Sequence, residues 1–161
     1  MIHSPNRRHR REQPMHKRQS GVTLMELLTV VVVIAILASL AVPSYRRYLL
    51  RAQRSDATTA LLRMQSAQEK HFLQYGVYVT TTANIPNAHA AGGLGLPIVS
   101  ERGYYNIAVA GTATGYTFTA APVAGGGQAD DKGCVSFTIT EAGTKAALDS
   151  TSADNTTNCF R

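Results

Sequence analysis

Cys134 and Cys159, 25 positions apart and both near the C-terminus, are the chain's only thiols. A pair so placed suits a disulfide formed in an oxidising compartment, and two unrelated buried thiols are the alternative. Zinc wants four ligands, and neither His71 nor His89 stands at ligand spacing from a cysteine, so no metal is expected. Asp130-Asp131, set among glycines, reads as a solvated turn, with a calcium ligand pair the weaker reading. Glu26 is the one charge between Val22 and Tyr45. A carboxylate inside an apolar helix costs roughly 2.5 to 3.5 kcal/mol at mid-bilayer and is usually paired, so it asks for a cation. Catalytic patterns are missing: no Ser or Cys is matched to a His in a nucleophile pattern, and Gly92-Gly93-Leu94-Gly95 lacks the strand-to-helix setting of a phosphate loop. No enzyme activity and no cofactor are expected.

The elements that must position these residues follow from charge and hydrophobic pattern. The formal charge of +6 is concentrated at the start. Arg7, Arg8, Arg10, Arg11, Lys17 and Arg18 face Glu12 alone before Gly21, whereas ten Lys/Arg oppose nine Asp/Glu from Val22 onward. Removal of residues 1–21 would take the basic excess with it, leaving no global argument for nucleic-acid binding. Leu27 to Val42 is apolar except for Thr29 and Ser39, and the 19 uncharged residues Leu27 to Tyr45 would span about 28 Å as a helix, close to the bilayer's hydrocarbon thickness. Pro43 ends or kinks that run. Beyond it Leu50, Ala57, Leu61, Met64, Phe72 and Tyr75 recur at helical spacing among arginines, an amphipathic continuation over 46–76 that Gly76 closes.

Residues 77–103 are rich in Thr, Asn, Gly and Pro and read as a loop wrapping a globular head over 77–161. Alternation then predicts strands over Tyr104–Ala110 and Tyr116–Ala120, a third through Val135, Phe137 and Ile139, and a short fourth near Thr144–Leu148. Gly111–Gly115 and Gly125–Gly133 supply turns, making an antiparallel meander over 104–148 the economical topology. The fold class is therefore α+β: a long kinked N-terminal helix on a three- to four-stranded antiparallel sheet, with a C-terminal segment 134–159 that a disulfide would close.

The stretch Lys17-Arg18-Gln19-Ser20-Gly21-Val22-Thr23-Leu24-Met25-Glu26-Leu27 resembles the type IV prepilin processing site. The resemblance covers most of the chain: the leader 1–21, the apolar segment 22–45 with Pro43, the strands and the C-terminal disulfide loop. Within that family the head is most similar to the PilE and ComP group of pilins, the latter minor pilins, through Tyr104-Tyr105-Asn106-Ile107 and the Gly133-Cys134 to Cys159 ending. The resemblance implies cleavage after Gly21 by prepilin peptidase and methylation of the new amino terminus at Val22, where the family more often has Phe. It also implies assembly with other pilin subunits, by inner-membrane machinery, into a surface fibre for adhesion, twitching motility or DNA uptake. The precursor would sit in the bacterial inner membrane, in contact with lipid, with its head periplasmic, before joining an extracellular pilus. Glu26 would then meet the new amino group on Val22 of a neighbouring subunit and set register.

Other readings compete. Six Lys/Arg before the span, against Arg46, Arg47, Arg51 and Arg54 after it, favour a cytoplasmic leader. If Met15 is the start, only Lys17 and Arg18 remain and the count points the other way, so the cysteine pair decides for a periplasmic head. Ser39-Leu40-Ala41 is a small-x-small sequence that signal peptidase would accept, which would release a soluble head beginning at Val42. A type II secretion pseudopilin is the nearest structural alternative. A DNA-binding competence pilin would need cations on the head, for which Arg102, Lys132, Lys145 and Arg161 are the candidates.

Overall fold

The computed structural model describes residues 21–161 apart from Ala90, Ala91 and Ala113. The leader expected over 1–21 therefore lies, except for Gly21, outside the described residues. The chain divides into two units, Met1–Leu40 and Ala41–Arg161. Helix α1 runs over Leu24–Tyr75 with Pro43 inside it. Thr23 caps its start: the threonine Oγ1 accepts the Glu26 amide at 3.2 Å, satisfying one of the first-turn N–H groups that have no partner within the helix. Gly76 ends it, with φ +71 and its amide donating to Phe72 O at 2.8 Å, as expected for a left-handed stop.

In the second unit α1 buries one face, built from Ala57, Leu61, Met64, Gln68 and His71, spaced at three- and four-residue steps. The expectation that Phe72 and Tyr75 share this face is corrected. Tyr75 is 48% exposed, and Phe72 is half-buried, stacking on Tyr78 at 4.3 Å. Backbone hydrogen bonding explains the change. Gln68 Nε2 donates to Val79 O at 2.7 Å, and His71 Nδ1 donates to Val77 O at 3.0 Å, so polar side chains hold the chain that turns back after Gly76. Buried carbonyls without a partner would cost more than burying these amide and imidazole groups.

Strands β1 (Tyr105–Thr112), β2 (Gly115–Pro122), β3 (Ser136–Thr140) and β4 (Lys145–Leu148) form a sheet in sequence order, each pair antiparallel. Strict alternation points Tyr105, Ile107, Val109, Tyr116, Phe118, Ala120, Phe137, Ile139 and Ala147 into one core with Ala57, Leu61 and Met64 of α1. The register sets large residues against small ones, as in Ala120↔Phe137 and Phe137↔Ala147, which interdigitates the layer. The turn expected over Gly111–Gly115 is mostly strand: pairing continues to Thr112↔Gly115. A β-carbon at Gly111 would lie 2.6 Å from Gly115 O, so close approach of the two strands is what requires glycine there.

Residues 77–103 contain a short 3-10 turn at Thr82–Asn84 and touch the free edge of β1 through the bridges Thr81↔Ala110 and Val99↔Asn106. The loop thus shields an edge that would otherwise offer unpaired backbone groups. At the other end Cys134 and Cys159 form a disulfide with Cα atoms 5.8 Å apart. Closing that loop contributes roughly 3 to 4 kcal/mol on the chain-entropy account. Inside the loop a one-turn helix α2 (Thr156–Cys159), which hydrophobic pattern does not foretell, follows the bridge Leu148↔Asp154.

Candidate functional site

The apolar half of α1 is exposed throughout. Every large apolar side chain from Leu24 to Val42 is between 49% and 82% accessible. Leaving that surface in water forgoes on the order of 20 kcal/mol at the usual area coefficient, so the stretch calls for a non-aqueous neighbour beyond the described residues. α1 is long and apolar enough to cross a membrane. Glu26 lies exposed in its first turn, where the partial positive charge of the helix end favours a carboxylate. Among the described residues nothing pairs with its carboxylate.

On the second unit, Arg54 anchors a polar cluster. Its Nε and Nη2 donate to the two Asp131 oxygens at 2.7 and 2.8 Å, and its Nη1 donates to Asn158 O at 3.1 Å. Gln128 Nε2 donates both to Asp131 Oδ2 and to Leu50 O, at 3.2 Å each. The 3-10 turn Gly127–Asp130, which carries Gln128, is thereby fastened to α1. This corrects the reading of Asp130-Asp131 as a solvated turn. Asp130 is solvated and reaches Arg46 at 3.3 Å, but Asp131 is 4% exposed and both its oxygens are engaged by the Arg54 fork. Neutralisation by a bidentate guanidinium makes burial tolerable. Burial, reinforced by the Asp131 carboxylate, pushes the nearby Tyr105 hydroxyl well above the usual phenol range.

Around this cluster two depressions adjoin. One is lined by Arg51, Arg54, Asn155, Asn158 and Arg161, the other by Arg47, Arg51, Arg54, Asp130, Asp131 and Lys132 together with Leu50. Of the four cations singled out in the sequence, Lys132 and Arg161 join this basic face. Arg102 is exposed, its amide donating to Asp56 Oδ1 at 3.3 Å, and Lys145 sits over the Phe160 ring at 5.7 Å; neither lines these depressions. Sequence reasoning missed Arg47 and Arg51 as members of a head surface, although their four-residue spacing puts them on one helix face.

The structure also brings together His71 and His89, which show no ligand pattern in sequence. Their rings lie 6.1 Å apart, with His71 Nε2 and His89 Nδ1 both buried and without a hydrogen-bond partner among the described residues. No cluster of three metal-ligating side chains occurs among the described residues.

Two family models match the chain. One, described as the type IV minor pilin ComP, DNA uptake sequence receptor, covers residues 43–138; the other, the prokaryotic N-terminal methylation motif, covers residues 16–42. Among curated proteins, a type IV major pilin protein PilE from Neisseria gonorrhoeae is 38% identical over 64 residues, 40% of this chain and 38% of that protein. A PilE1 from the same organism is 32% identical over 91 residues, 56% of this chain and 51% of that one. The chain thus spans about two fifths to one half of the length of these relatives. A solved type IV pilin from Shewanella oneidensis aligns with a TM-score of 0.41 at 20% identity, covering 60% of this chain and 89% of that one.

Proposed function

The chain belongs to the ComP family of type IV minor pilins, and from that membership we propose that it is a non-enzymatic subunit of a surface fibre. It is made as a membrane-anchored precursor and assembled through the apolar half of α1 with other pilin subunits. The observation that carries this reading is the exposed apolar surface from Leu24 to Val42, lying within the matched methylation motif. That surface has two chemically suitable environments in sequence, the bilayer first and neighbouring apolar helices afterwards. On this reading prepilin peptidase cleaves after Gly21, the new amino group at Val22 is methylated, and inner-membrane machinery draws the subunit into the fibre. Pro43 breaks the α1 hydrogen-bond ladder where the apolar stretch gives way to the arginines, and so lets the two segments bend during packing.

The Glu26 carboxylate, without a partner among the described residues, is assigned one on this reading, the positive amino group of Val22 on an adjacent subunit. Thr23, rather than the glutamate side chain, caps the helix, so a variant can separate the two roles. Glu26→Gln keeps the cap and removes the charge. Intact mass and N-terminal sequence of the protein from sheared fibres test the processing. A start at Val22 carrying one extra methyl is expected, and a start at Val42 would mean signal-peptide removal and no fibre. Glu26→Gln is expected to leave the head folded while abolishing recovery in fibres; normal incorporation would return the carboxylate to a purely local role.

DNA capture by the assembled fibre is the second reading, favoured by the description of the matched family. The exposed cations available to it include Arg102, Lys132, Lys145 and Arg161, the four read from the sequence, and also Arg47 and Arg51, which line the same basic face as Lys132 and Arg161. Duplex binding by fibres that weakens steeply with salt is its expected signature, and absence of binding at low salt would remove it.

A further inference from the structure

Charge on the unit Ala41–Arg161 is polarised. Arg46, Arg47, Arg51, Arg54, Lys132 and Arg161 gather on one face, with only Asp130 and Asp131 among them. Away from it, Arg63, Lys70, Arg102 and Lys145 are outnumbered by six carboxylates, Asp56, Glu69, Glu101, Glu141, Asp149 and Asp154. Within the basic face, Asp131 neutralises Arg54, while Asp130 meets Arg46 only in solvent, where a pair is worth little. No described carboxylate lies within ion-pair distance of Arg47, Arg51, Lys132 or Arg161. Like charges four residues apart on a helix repel, and arginines on the outer side of a span work against the charge rule for orientation. Such an arrangement calls for an external anion.

We propose that this face docks on the phosphate headgroups of anionic phospholipid while the subunit is held in the membrane. The inference rests on the membrane-anchored precursor described above. Bilayer lipid, rather than another polyanion, is the occupant because the basic face begins where the apolar stretch ends, on the same helix. At 1.5 Å per residue, Arg47 and Arg51 stand about 3 and 9 Å along α1 from Tyr45. A headgroup layer is about 5 to 8 Å deep on each side of the hydrocarbon, so Arg47 stands within it, and Arg51, just beyond it, reaches phosphate level through its long side chain, which leans toward the helix N-terminus. Tyr45 and Tyr48, each 62% exposed, add the aromatic rings that favour that depth. Lys132 and Arg161, contributed by the sheet side of the head, extend the same surface. Headgroup contact would hold the head at the membrane until the subunit is extracted into a fibre.

The test uses the full chain in uncharged detergent micelles, titrated with phosphatidylglycerol or phosphatidylcholine and read by native mass spectrometry. Arg47→Gln/Arg51→Gln is the test variant, since neither side chain makes a hydrogen bond that the fold needs, and Arg63→Gln/Arg102→Gln is the control. Phosphatidylglycerol is expected to bind about tenfold more tightly than phosphatidylcholine, with most of the preference lost in the test variant and kept in the control. Equal binding of both lipids, or a preference that survives Arg47→Gln/Arg51→Gln, overturns the proposal. So does the finding that a DNA duplex binds in a manner lost in the same variant while no lipid preference exists, which would assign the face to nucleic acid. Insertion into phosphatidylcholine vesicles is scored separately. A chain that inserts but shows no lipid preference leaves the pilin reading standing, whereas one that fails to insert removes both.

Discussion

The two stretches of α1 bury themselves in opposite senses to their composition. From Leu24 to Val42 the helix is almost wholly apolar and almost wholly exposed, while its later stretch is studded with charge and buries Asp56, Gln68 and His71 beside Ala57, Leu61 and Met64. Hydrophobicity alone does not decide burial; the presence of a complementary partner within the chain does. The later stretch has a sheet to pack on and returning backbone to hydrogen-bond. Among the described residues the earlier stretch has neither, and the partners proposed for its apolar surface are a bilayer and other copies.

Perturbing the partnered stretch should cost stability, and the same change in the unpartnered one should not. The largest effect is expected from Asp131→Ala, which strands the largely buried Arg54 guanidinium and should lower head stability by about 3 to 5 kcal/mol in denaturant titrations. Leu61→Ala, at a site 1% exposed, should cost about 3 kcal/mol. Leu37→Ala, 62% exposed, should leave the same titration unchanged and reduce only recovery in fibres. Equal losses from Leu61→Ala and Leu37→Ala would erase the contrast.

Smaller effects sharpen it by pH. Burial, then the bond donated to Glu69 Oε1 at 2.7 Å, pushes the Tyr116 hydroxyl well above its ordinary value of 10.0. A raised value in the fold means that this contribution is complete below about pH 10 and is lost as pH rises further. Thermal melts should therefore fall above pH 10, with a shallower fall in Tyr116→Phe. The smallest change is expected at the C-terminal segment. Asp149, which accepts bonds from Thr151 Oγ1, Thr151 N and Ala153 N, is held below the usual carboxylate range. Its stabilisation is present above the ordinary carboxylate value and is lost as pH falls through the lowered one. Asp149→Asn should lower the protection of the Thr151 and Ala153 amides from exchange at neutral pH and should remove the acid dependence of that protection.

Much of the fold is legible in the residues. The alternation Tyr105, Ile107, Val109 and Phe137, Ile139 can satisfy only a half-buried strand, and Gly76 marks the end of α1 because the helix must stop in a left-handed conformation there. The disulfide was one of two possibilities for Cys134 and Cys159. Less legible is the helix face, since Gln68 and His71 look like surface residues until the carbonyls of Val79 and Val77 come back to meet them. The same holds for Asp131, whose neighbour in sequence, Asp130, has the same side chain and an opposite environment. Arg47, Arg51, Lys132 and Arg161 belong to one surface only because a turn 77 to 78 residues along the chain from its helix partners is fastened to them through Gln128 and Arg54.

What the sequence determined by itself are the properties that depend on neighbours along the chain. These are an apolar run of membrane length, strand and helix periods, a glycine stop and the family to which the chain belongs. The tertiary structure decided which polar groups are buried, which carboxylate is neutralised and which cations form one face. Those outcomes depend on contacts between residues far apart in sequence, where desolvation and hydrogen-bond satisfaction, rather than local propensity, set the energy.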